Sequence, residues 1–298
     1  NGLHSLGLLS LSDTQLGGLQ STQVNSLSGT QLNGLLAMAL ASLAETQLNG
    51  LTASQLATLA DTQLDGLQAN GLSGLSATQL DGVTSLRLAA LAETQLNGLH
   101  SNGMASLASS QLRGLSALQL MALADTQLNG LQSEGLFSLS AAQLDGLTSA
   151  QLAALADTQL DGFHSNSLFN VADTQLNGLA SSQLSGLTET QLNGLRASGL
   201  CELAITQLDG VGSTQVAGLS NTQLDGLTSS LLLSLADTQL DGLRSSQLQG
   251  MTNTQLDGLT SQRLVALAVT QLDGLTALQV SDFANTQLNA LHSAQLTG

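Results

Sequence analysis

Ala236-Asp237-Thr238-Gln239-Leu240-Asp241-Gly242-Leu243 is one copy of a motif that runs through the whole chain. Thr-Gln-Leu-Asx-Gly-Leu returns every 16 residues, from Thr14-Gln15-Leu16 to Thr286-Gln287-Leu288. A looser copy, such as Ala150-Gln151-Leu152-Ala153-Ala154-Leu155, lies midway between each pair, so the underlying period is 8. With the Gln position called b, each octad reads a to h as Thr-Gln-Leu-Asx-Gly-Leu-x-x. Positions c and f each occur 37 times, and all 74 residues are Leu, Val, Met or Phe, without insertion or deletion. Such internal self-similarity overrides the two-domain expectation that 298 residues would otherwise raise. It argues for one octapeptide-repeat solenoid domain over 1–298.

The octads alternate in kind. In the strict copies all 18 have Gln at b, 16 have Thr at a, 16 have Asp or Asn at d and 17 have Gly at e. The relaxed copies keep the apolar pair. They carry a weaker alternation of 32 residues, with Gly71, Gly103, Gly135 and Gly199 set against Gln55, Gln119, Gln151 and Gln183. Of 21 acids, 18 lie at d or h, and no charge falls at c or f. The octad therefore separates a core from a surface.

Composition narrows the function. Net charge is −16 with no Lys and five Arg, which opposes nucleic-acid binding, since phosphates need bases to neutralise them. No apolar run is long enough for a membrane span. Cys201 is alone, so no intramolecular disulfide or Cys-based zinc site follows.

One continuous helix is excluded, because eight residues advance about 800° and the Leu pair would drift about 80° per octad. Two solenoids compete. In the favoured all-β solenoid, Thr-Gln-Leu is a strand and Asx-Gly is a corner whose residues tolerate φ > 0. Two octads then close a 16-residue coil, and coils stack about 4.8 Å apart into a rod roughly 85–90 Å long. The alternative is an α-solenoid of stacked short helices. There Thr148 is an N-cap, Gln151 its capping-box partner, and Leu147 and Leu152 a hydrophobic staple. Short helices are marginal alone and repeated helix-interior glycines are costly, which tips the balance to strands.

The octad Gly146-Leu147-Thr148-Ser149-Ala150-Gln151-Leu152-Ala153 resembles the Ala-Leu-Thr-Thr-Ala-Gln-(Val/Ile)-Ala arrays of large bacterial surface and adhesin-like proteins. The resemblance covers essentially the whole chain and implies an extracellular stalk or spacer without catalytic residues. This chain differs in its Asx-Gly pairs and in Leu where those arrays have Val or Ile. The period is also similar to that of bacterial ice-nucleation repeats, although their Thr-x-Thr and Tyr are missing here.

Candidate sites follow from position. Thr158, Thr174, Thr190, Thr206, Thr222, Thr238 and Thr254 form one file in a 16-residue coil, a possible ice-binding surface. In a strand, however, a and c share a side, so these Thr are expected to turn inward with Leu. Asp209, Asp225, Asp241, Asp257 and Asp273 suggest calcium, but Asn177 and Asn193 replace them freely, which favours a turn role. Gln at b reads as a surface rank. His4, His100, His164 and His292 are too far apart for a metal site or catalytic dyad. Phe163 and Phe283 belong to the core, Phe137 and Phe169 to the surface. No catalytic, metal or cofactor site is expected. The expectation is a non-enzymatic structural or adhesive extracellular repeat protein that forms a rigid rod or filament by end-to-end self-association. The alternatives are an ice-binding solenoid and a helical-repeat scaffold for a protein partner.

Overall fold

The computed structural model describes residues 5–8 and 10–291, and among them there is no strand. The all-β solenoid is therefore overturned. The described residues form a succession of 36 short α-helices, one to an octad. From Gly29 onward strict octads form helices of four residues, such as Asp237–Leu240, and most relaxed octads form helices of six, such as Ser229–Ser234. The chain divides into two compact units, 1–147 and 148–298, built in the same way.

Position g is always the N-cap: Ala236 is extended, with φ −68° and ψ 155°, and the helix begins at h. The b residue is then N3. Where g is Ser or Thr and b is Gln the capping box is complete: Gln223 N–H donates to Ser220 Oγ at 3.3 Å, and Ser220 N–H donates to Gln223 Oε1 at 3.1 Å. The Thr148–Gln151 box read from the sequence is formed. Where g is Ala only the Gln half exists, as at Ala236, whose N–H donates to Gln239 Oε1 at 2.7 Å. This local bonding offsets the cost of starting a helix every eight residues.

Positions c and f close the core. Leu240 and Leu243 are each 2% exposed, and the same holds closely along both units. Full burial of one such Leu contributes about 1.5–3 kcal/mol. Neighbouring turns of the solenoid meet at separations of 25 to 31 residues, as in Asn33 Nδ2 to Thr58 O, Gln47 Nε2 to Leu19 O and Gln47 Nε2 to Leu16 O. One turn therefore takes about 28 residues, or roughly three and a half octads, each packed on its neighbours alone. The expected 16-residue coil is replaced by this longer one.

Glycine at e has a different purpose from the one expected. No glycine among the described residues has positive φ, and the d residues are right-handed too, with Asp241 at φ −56°. Gly242 instead lies against the turn before it: a Cβ there would sit 2.6 Å from the carbonyl carbon of Ser213. Gly82 meets Ala53 in the same way, and Gly226 meets Ala197. The strict helices end at c, so these glycines lie beyond the helix and the objection to helix-interior glycine lapses.

Candidate functional site

From Gln47 onward the b-position glutamines are buried, which corrects their reading as a surface rank; Gln15 and Gln23 remain exposed. Gln239 is 6% exposed. Its Oε1 caps its own helix, while its Nε2 donates to Leu208 O at 2.7 Å and Val211 O at 2.6 Å. These acceptors are the c and f carbonyls 31 and 28 residues earlier. Gln79, Gln95, Gln127, Gln191, Gln223 and Gln255 repeat the pattern. One amide thus caps a helix and stitches it to the preceding turn, using its carbonyl and both N–H groups. Buried polar groups are costly unless paired in this way.

The stitch fails on a schedule. In every fourth octad from residue 39 to 263 b is Ala39, Gly71, Gly103, Gly135, Ser167, Gly199, Leu231 or Arg263, and off that schedule Gln is also replaced by Arg87, which pairs with Asp61. Arg263 takes over the bond by donating to Leu235 O, and lies 3.8 Å from Asp237. At Gly71 and Gly103 no side chain reaches back, and cavities open. The first, 420 Å³, is lined among others by Leu40, Leu43, Glu45, Gln68 and Gly71. The second, 290 Å³, is lined among others by Leu72, Leu75, His100, Asn102 and Gly103.

The same octads carry unusual surface residues. Phe137 and Phe169 at d are 48% and 52% exposed, as the sequence suggested, and Leu233 is 48% exposed. Cys201 is the d residue between Phe169 and Leu233, and it too is exposed. Arg196, the N-cap of the following stripe octad, places its guanidinium 4.4 Å from the Phe169 ring centroid, a cation–π contact. Four octads are slightly more than one turn, so within the second unit Phe169, Cys201 and Leu233 form an oblique stripe, while the first unit carries Phe137 in the equivalent position. Other exposed apolar residues, such as Leu86, Leu118 and Leu278, lie outside it.

Thr158, Thr174, Thr190, Thr206, Thr222, Thr238 and Thr254 are all exposed. The inward orientation depended on strand geometry. On a helix a and c stand about 200° apart, so burying Leu turns Thr outward. Sixteen residues are rather more than half of a turn, so successive Thr fall on different sides and not in a single file. Asp209, Asp225, Asp241, Asp257 and Asp273 are exposed C-cap residues. Among the described residues no three of His, Cys, Asp and Glu come together as a metal site. His4 and His292, and the chain ends on which end-to-end association depends, lie outside the described residues. Phe163 and Phe283 are buried at 1% and 6%. No helix among the described residues is long and apolar enough to cross a membrane. No protein-family profile and no curated protein sequence matches the chain.

The stripe was missed at the sequence level although its signal is there. The 32-residue alternation of Gly with Gln at b marks it, and becomes meaningful only once Gln is known to be buried.

Proposed function

We infer that the chain is a non-enzymatic helical-repeat scaffold that binds a protein partner along the stripe of every fourth octad. The observation that carries this reading is the coincidence, in the same octads, of a missing glutamine stitch with exposed apolar residues, Phe169 and Leu233 foremost. Large apolar side chains held half-exposed on rigid helices are the usual anchors of a protein interface. Most strict octads present Thr, Asp and Asn to water, Ile205 and Val269 excepted, so the aromatic and aliphatic d residues of the stripe stand out from them in polarity as well as in stitching. A repeat of interchangeable copies also supports binding over catalysis, which needs one convergent site. The extracellular spacer suggested by resemblance needs the lattice alone and gives no reason for the stripe.

The test compares the immobilised chain with a Phe169→Ser/Leu233→Ser variant of unchanged circular dichroism, in capture from extracts of the source cells. Species retained by the first and lost by the second support the reading. Equal capture by both, or none by either, overturns it.

A further inference from the structure

We propose that the notches at Gly71 and Gly103 are receptor sites for a primary carboxamide, the group carried by Gln and Asn side chains. The inference deepens the scaffold reading by naming the chemistry that a partner would insert.

The argument begins with what the fold does elsewhere. At Gln95 the side-chain amide is held at three points: Ala92 N–H donates to Oε1 at 2.9 Å, and Nε2 donates to Leu64 O at 2.8 Å and Leu67 O at 2.7 Å. One donor and two acceptors, all backbone, thus define a carboxamide socket. The octad of Gly103 has the same parts in the same register. Its N-cap His100 supplies the N–H, and Leu72 and Leu75 supply the carbonyls 31 and 28 residues before it. All three residues line the 290 Å³ cavity. Neither the His100 N–H nor the Leu75 carbonyl has a hydrogen-bond partner among the described residues. The socket at Gly71 repeats this with Gln68, Leu40 and Leu43 around 420 Å³.

The pattern is selective. A carboxamide offers two N–H groups and one acceptor, which matches it group for group. A carboxylate offers no N–H to the two carbonyls, and an ammonium offers no acceptor to the N–H. A tertiary amide keeps the acceptor and loses both donors. The glycine is what leaves room, since any longer b side chain would enter the cavity. At Gly103 a Cβ would rest at ordinary contact distance, 3.5 Å from Leu99 Cδ2 and 3.6 Å from Leu80 Cδ1. The Cβ of Gly103→Gln is therefore accommodated without displacing a neighbour.

The experiment is an NMR titration of the full chain with propionamide, with N-acetyl-glutamine methylamide and with N,N-dimethylpropionamide. Saturable shifts of the Gly103 and His100 backbone amides are expected with the first two ligands. The third should give none, and G103Q should lose the response at its own socket while keeping that at Gly71. A response to propionamide but not to the glutamine derivative would assign the socket to small free amides. The reverse would assign it to side chains, and both support a carboxamide site. No saturable shift, or equal shifts with the dimethyl compound, would overturn the proposal whether or not G103Q folds. Loss of capture in the Phe169/Leu233 variant is a separate readout, so the scaffold reading and the socket can fail independently.

Discussion

The segment from Leu192 to Gln223 and the segment from Leu72 to Gly103 each span 32 residues of the repeat and bury leucines at the same positions, yet only the first is stitched. Gln223 Nε2 reaches Leu192 O and Leu195 O, both at 2.9 Å, whereas Gly103 leaves a cavity before Leu72 and Leu75. The leucine lattice alone suffices to wind the chain. The glutamine decides whether adjacent turns are sealed or open, and one side chain therefore separates supporting octads from presenting ones.

That contrast can be broken most severely at the element both segments share. Leu160→Asp buries an unpaired charge at a site 3% exposed and should cost about 4 kcal/mol or more. Loss of helical circular dichroism or a sharply lowered denaturation midpoint would record it. Gly226→Ala should cost about 3 kcal/mol, because its Cβ would stand 2.7 Å from the Ala197 carbonyl carbon and the turns would have to part. A melt close to that of the unaltered chain would show that turn spacing is not set by glycine.

Two substitutions sharpen the comparison itself. Gln223→Ala removes an amide that bonds Ser220, Leu192 and Leu195, and should cost about 2 kcal/mol in chemical denaturation. Gly103→Gln is its mirror image and should add about 1 kcal/mol, seen as a raised melting temperature. If both were neutral, the stitch would have no energetic meaning. The smallest effect is expected for Ser220→Ala, about 0.5–1 kcal/mol, since strict octads capped by Ala retain the Gln half of the box.

Much of the local structure was legible beforehand. The capping box at Thr148 and Gln151 could be read because its parts lie within one octad, where side-chain chemistry and spacing are enough. The choice of strand over helix failed for two reasons that are both tertiary. The Asx-Gly pair was read as a φ > 0 corner, whereas Gly242 is required by the Ser213 backbone of another turn. Short helices were judged too unstable, whereas most are held by a Gln amide reaching 28 and 31 residues back, a partnership that no local pattern announces.

The sequence by itself determined the period, the buried c and f positions, the outward placement of charge and the N-cap at g. These follow from the polarity and bonding capacity of neighbouring residues. Only the tertiary structure decided the length of the turn, the burial of Gln and the meaning of the glycines. The angle between successive short helices sets which octads become neighbours, and that angle is a sum over packing contacts that no single residue encodes.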